Sequence, residues 1–292
     1  MTELKEKRHN TGFWAQLRRL PRTWVGLTLA ALVILPALFA PLLTPVDPLT
    51  QFREGLNRDG TPIAPGAQFP LGTDGLGRDM LSRLLYGGRI SLKISAVANT
   101  IAAAFGTFIG LLAGYYSGIL DSILMRLTDV LLAFPAILLA LALGSVLRPS
   151  ENTVILILSI VTWPALARLV RGQVLTVRER TFIESARASG ASDFYIISRH
   201  ILPHTITVTV VWGTLSFASA VLIESALSFL GVGVPLPTAS WGNMILEGQS
   251  RYRIAPWMII APTVAILITT LGFNLLGDAI RDALDPRTSQ RM

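Results

Sequence analysis

Long apolar runs, separated by polar intervals, dominate the chain. Six stretches reach the roughly 20 mostly apolar residues that cross a bilayer as a helix: residues 24–43, 90–116, 121–147, 152–170, 205–230 and 256–277. Apolar residues lie all round each of them, the pattern of a helix surrounded by lipid or by other helices. Pro36, Pro135 and Pro164 fall inside these runs, and membrane helices tolerate such prolines because neighbours re-satisfy the freed backbone groups. One such run is compatible with a buried core helix of a water-soluble protein. Six in one chain predict an all-α polytopic membrane protein. The predicted organisation is an N-terminal tail (1–23), a first anchor (24–43), a long loop (44–89), a five-span core (90–277) holding a polar loop at 172–204, and a C-terminal tail (278–292).

Composition agrees. Only 15% of residues are charged, against about a quarter in soluble domains. There is no cysteine, which excludes disulfides, thiolate metal sites and cysteine nucleophiles. The first run follows a basic tail, as in a signal peptide, but it is longer than a signal core and residues 37–41 offer no small-x-small cleavage site. It reads as an uncleaved anchor. Even span number puts both termini on one side. That side carries fifteen basic residues: six in the tail, three near the C-terminus, and Arg168, Arg171, Arg178, Arg180, Arg187 and Arg199 between spans four and five. The opposite side carries eight. Both termini and the 172–204 loop are therefore expected in the cytoplasm. The net charge of +7 could also signal nucleic acid. Acidic residues interleave with the arginines and spans flank them, so membrane topology explains the charge and no nucleic-acid partner is expected.

The 172–204 loop is polar and helix-prone, broken by Gly190 and, on this reading, ended by Pro203. Glycine lets the chain turn between two short helices. Ser192 is placed to cap the second, although Tyr195 stands where a capping box has Glu or Gln. The expectation is a compact knob able to dock in another protein and transmit rigid-body motion.

Glu184-Ser185-Ala186, then Gly190, then Ile201-Leu202-Pro203 resemble the EAA loop of bacterial ABC importer permeases, with Ser185 where the family often has alanine. Further segments resemble the oligopeptide/dipeptide/nickel subfamily: Pro70-Leu71-Gly72-Thr73-Asp74, Gly77-Arg78-Asp79, Ser82-Arg83, Gly88-Arg89 and Ser91-Leu92 after span one, and Met125-Arg126 with Asp129 and Pro135 in span three. Leu227 to Gly231 with Ser240-Trp241-Gly242 after span five, and Gly277-Asp278, Arg281-Asp282 and Asp285-Pro286-Arg287 at the end, complete the likeness. It covers nearly everything beyond Trp24, and the long first loop resembles the second permease of the pair. The resemblance implies a type I ABC importer permease fold, coupling to ATPases through Glu184, Ser185, Ala186, Gly190, Ala191 and Asp193, and four kinds of partner: a homologous permease, two ATP-binding subunits that hold ATP and Mg, an extracytoplasmic binding protein, and membrane lipid. It implies transport of di- or oligopeptides, nickel complexes or glutathione across a bacterial inner membrane, with no cofactor in this chain.

Other chemistry is poorly supported. The only lysines are Lys5, Lys7 and Lys93, and none follows a glycine, so the chain has no phosphate-binding Gly-Lys-Ser/Thr loop. The glycines of residues 72–79 read as turns. His200 and His204 have metal-ligand spacing, but Pro203 intrudes and no carboxylate matches. His9 carries no signal. Ser117 has no histidine in any span to activate it, which argues against an intramembrane enzyme. A secondary transporter would show inverted repeats, and none is evident. Two carboxylates lie in spans. Asp129 has Arg126 one turn away, close enough to pair. Glu224, together with Asn99 and Trp163, is a candidate pore or gate residue, since an intramembrane carboxylate is functional by default. A carboxylate pinned by interhelical hydrogen bonds is the equal alternative.

Overall fold

A computed structural model describes residues 13–284. The tails that carry Lys5, Lys7, Arg8 and His9, and Asp285, Pro286, Arg287 and Arg291, lie outside the described residues. A short helix α1 (Phe13–Arg19) leads into α2 (Pro21–Leu38) and the single turn α3 (Ala40–Leu43). Residues 44–79 then form an irregular segment in which extended backbone pairs only at isolated bridges, such as Gln51 with Arg78. Next come α4 (Met80–Tyr116), α5 (Gly118–Leu132), α6 (Ala136–Val146), α7 (Glu151–Arg178) and α8 (Thr181–Ala188). The one-turn α9 (Asp193–Tyr195), a π-helical stretch (Ile196–Ile201) and α10 (Leu202–Phe229) run on without a break, followed by α11 (Trp241–Gly248) and α12 (Trp257–Leu284). Residues 44–79 and α11 make a crown at one end of the bundle. The turn about α8 makes a handle at the other.

Among the described residues, five helices are long and apolar enough to span a bilayer, and a sixth crossing is counted only if α5 and α6 are taken as one. These two meet at 87°. The single span predicted over 121–147 is thus a broken one. Pro135 stands at the N-cap of α6 and has no N–H to continue the α5 ladder. Neither piece, at about 22 and 16 Å, crosses the roughly 30 Å hydrocarbon layer alone.

Helix starts follow local chemistry. The Asp79 carboxylate accepts from the Ser82 amide and hydroxyl (2.8 and 2.6 Å), so α4 begins at Met80 and not near 90 as its hydropathy predicts. The α7 N-cap Ser150 accepts from the Thr153 amide at 3.1 Å. α4 stops where Ser117 and Gly118 both turn to positive φ (54° and 66°).

The central contact is α4 on α7. Gly106, Gly110 and Gly114 form a stripe against it, and a Cβ on Gly110 would lie 2.6 Å from the Ala167 carbonyl oxygen. Small residues at this spacing allow backbones to approach closely, which is what drives helix association in lipid. Gly26 of α2 meets α12 at Gly272 in the same way.

Candidate functional site

The handle is built as an extension of the bundle core. Ile183 of α8 and Ile196 and Ile201 of the π stretch are fully buried, in one cluster with Leu166, Val170, Val174 and Val177 of α7 and Leu111 of α4. α8 ends with the Gly190 amide donating to the Arg187 carbonyl (2.9 Å) and the Ala191 amide to that of Ala186 (3.1 Å). This is a Schellman ending, and it needs the left-handed conformation that Gly190 adopts (φ 78°). Ser192 then caps the next helix, accepting from the Tyr195 amide. From Asp193 the helix continues through the π stretch into α10. The expected short second helix ending at Pro203 is therefore absent. Pro203 follows directly on the π stretch, whose wider turn accommodates the ring and the missing N–H.

Polar contacts brace the same region. The Tyr115 hydroxyl donates to Asp193 Oδ1 at 2.6 Å, and the Arg187 guanidinium lies over the Tyr115 ring. Arg178 donates to the last carbonyls of α4, those of Gly114 and Tyr115 (3.1 and 3.2 Å), and to the Ser117 hydroxyl. Arg171 grips Asp121 of α5 through two bonds (2.5 and 2.6 Å). Asp129 pairs with Arg168 of α7, not with Arg126 as its spacing suggests, because an inter-helix partner outreaches the one on its own helix.

The six predicted coupling residues divide by role. Glu184 and Ser185 are exposed, and the Ser185 hydroxyl bonds back to the Thr181 carbonyl. Ala186 and Ala191 pack against the buried cluster. Gly190 supplies the turn, and Asp193 anchors to α4. Phe194, beside Asp193 and outside this set, is 81% exposed. His204 Nδ1 bonds the His200 carbonyl (2.8 Å) and its ring stacks on Phe182. Among the described residues no three His, Cys, Asp or Glu side chains group as metal ligands.

The three candidate pore or gate residues do not come together. Trp163 is 6% exposed, edge-on to Phe105, inside the α4–α7 contact. Asn99 clamps α4 to α10, donating to the Gly213 carbonyl at 2.8 Å and accepting from the Ser216 hydroxyl. Glu224 is fully buried in a cage of four serine hydroxyls: Ser225 and Ser228 of α10, Ser91 of α4 and Ser240 at the start of α11. Three of these serines each accept a backbone amide, from Trp241, Val234 and Asn243. Each can therefore turn its hydroxyl hydrogen toward the carboxylate. Gly242 lets α11 settle on this cage, since a Cβ there would lie 2.3 Å from the Ser225 carbonyl oxygen. Glu224 and Trp163 are both buried between helices of this chain. They hold helices together.

The crown is fixed by a second buried polar group. Arg78 is bonded to Asp74 (2.6 Å) and to Glu247 of α11 (3.0 Å), and Arg83 is bonded to Glu247 (2.5 Å) and ion-paired with Asp74 (3.0 Å). In the exposed turn above, the Thr61 hydroxyl and amide donate to Asp59 (2.8 and 3.1 Å), which holds its carboxyl below the usual carboxylate range.

Known proteins give this geometry a context. The model of the binding-protein-dependent transport system inner membrane component family matches residues 106–290. The N-terminal transmembrane domain of oligopeptide transport permease C matches residues 11–60. The chain is 41% identical to the dipeptide transport system permease protein DppC of Alkalihalophilus pseudofirmus, over 93% of this chain and 88% of the relative. It is 45% identical to the glutathione transport system permease protein GsiD of Escherichia coli O6:K15:H31, over 94% and 89%. The fold is also that of a chain in an inward-facing structure of the MetNI methionine ABC transporter (TM-score 0.58, 19% identity, 70% of this chain and 98% of the other). With its broken third span, its braced handle and these matches along nearly its whole length, the chain belongs to the binding-protein-dependent transport system inner membrane components, as an oligopeptide-permease-C-type permease subunit of an ABC importer.

Proposed function

We propose that this permease forms one half of the path by which an importer takes up dipeptides, oligopeptides or glutathione-like small peptides. A homologous permease supplies the other half. Two ATP-binding subunits, which hold ATP and Mg, grip the handle, and an extracytoplasmic binding protein delivers substrate to the crown. The substrate class rests on the dipeptide and glutathione permeases that share 41% and 45% of their aligned residues with this chain. The handle and both termini face the cytoplasm on this reading, in keeping with the excess of arginine at that end.

One observation carries the coupling role. The cluster that buries Ile183, Ile196 and Ile201 is the same cluster that holds α7 to α4. A push on α8 therefore moves the helices as a body, because packed cores shift between discrete arrangements and do not deform smoothly. Glu184, Ser185 and Phe194 supply the free face for an ATPase groove, while Ala186, Gly190, Ala191 and Asp193 set its shape. Glu224, Asn99 and Trp163 act on the path at one remove, by fixing the helices that border it.

The test is a charge reversal on the free face. Glu184→Arg changes an exposed side chain, so insertion and thermal stability should stay within about 0.5 kcal/mol of the parent. Substrate-stimulated ATP hydrolysis of the assembled complex should fall to its basal rate. Normal coupled uptake by a Glu184→Arg, Gly190→Arg complex would refute the assignment.

A further inference from the structure

α2 is seated through small residues, with Gly26 near its start and Ala37 near its crown end both buried, but gaps remain beside it. Near its start, a Cβ on Gly26 would lie 2.9 Å from the Leu276 side chain of α12. Toward the crown, two apolar clefts flank it. The smaller, about 160 Å³, lies between α2 and α12 and is bordered by Leu32, Pro36 and Val264. The larger, about 780 Å³, lies among α2, α4, α10 and α12. That volume is in the range of small-molecule sites.

The larger slot is sorted by depth. Its walls are hydrocarbon, from Ile34, Ile90 and Ala96 among others. Its floor is the pair Phe217 and Phe273, ring centroids 4.0 Å apart. Phe217 follows Ser216, which bonds Asn99 of α4. Asn99 lies six residues beyond Lys93 on that helix, so the floor is about 9 Å below the lysine. Charged groups occur only at the crown-side rim: Arg89, Lys93 and Asp47. Lys93 pairs with Glu151 in the first turn of α7 (2.5 Å), which puts it level with the crown end of that span. Leu38 and Leu49 on the border are 58% and 45% exposed, so the slot opens sideways.

We infer that this slot is a lipid site. It takes one acyl chain of a glycerophospholipid from the crown-side leaflet, with the phosphate against Arg89 and Lys93 and an amine-bearing head group toward Asp47. Cationic side chains on apolar stems reach naturally to the phosphate level. Opposite charges at one rim match a zwitterionic head. A peptide in the slot would leave its amides unpaired against hydrocarbon walls, at a cost of several kcal/mol. The lipid would fill the gap beside α2. This inference does not depend on which solute is transported.

The experiment uses the whole transporter complex, assembled in nanodiscs of phosphatidylethanolamine and phosphatidylglycerol and released into detergent for native mass spectrometry. Phosphatidylethanolamine is expected to stay bound to the parent complex. Arg89→Gln, at an exposed position, should lower retention by about tenfold, and Ala96→Trp should abolish it by filling the slot. A photo-crosslinking side chain at Leu38 should label lipid. Retention unchanged in Arg89→Gln, no lipid on the parent complex, or crosslinks from position 38 to the companion permease or to peptide would each overturn the assignment.

Discussion

At the crown, directional polar bonds hold the chain together. Two arginines share two carboxylates, and four serines enclose Glu224. At the handle, isoleucines sunk among valines do the same work, with Tyr115, Arg178 and Arg187 as braces. Both ends are well packed, but they fail differently. An ion group of fixed stoichiometry tolerates little, because removing one member strands the others. An apolar cluster loses stability in proportion to the volume removed. The crown is built to keep one geometry. The handle shares one apolar cluster with the helices that carry it.

Three substitutions press on this difference. Arg83→Ala should have the largest effect, since it leaves Asp74 and Glu247 short of a buried cation. About 3–5 kcal/mol is expected, read as a large drop in the thermal midpoint of the complex in detergent. Ile183→Ala should cost about 2–4 kcal/mol, mostly local to the handle. Here the complex should assemble while ATP hydrolysis no longer responds to substrate, and a proportional loss of assembly and coupling would contradict the division of labour. Tyr115→Phe removes one charge-assisted bond to a partly exposed Asp193 and should cost about 1 kcal/mol. Faster amide hydrogen exchange confined to residues 190–196 is the expected signature. Equal effects of Arg83→Ala and Tyr115→Phe would erase the contrast between the two ends.

Much of this was legible in the sequence because apolar runs are long and turns are chemically marked. Gly190 and Ser192 each announced a local geometry, and each adopts it. What escaped were features decided by distant partners. Arg83 made the start of α4 look like a loop, because nothing nearby in the chain reveals that Asp74 and Glu247 neutralise it. The spacing of Asp129 points to Arg126, three residues away, but its partner Arg168 sits 39 positions on. Glu224 was balanced between gate and pin, and its serines come from three separate elements. Pro203 misled for a different reason. Proline ends a regular α-helix because its ring crowds the preceding turn, and the wider π turn before Pro203 makes room for it.

The unbroken helical run from Asp193 to Phe229 has a mechanical meaning. At about 1.5 Å per residue it is a rod some 55 Å long, with the anchor to Tyr115 at one tip and caged Glu224 close to the other. A tilt of about 10° at one tip displaces the other by about 10 Å over that length. The π turn beside Pro203 sits about ten residues from the driven tip, where a bend would shorten the lever least. Under the proposed coupling role, motion received at the handle would reach the crown through this one rod.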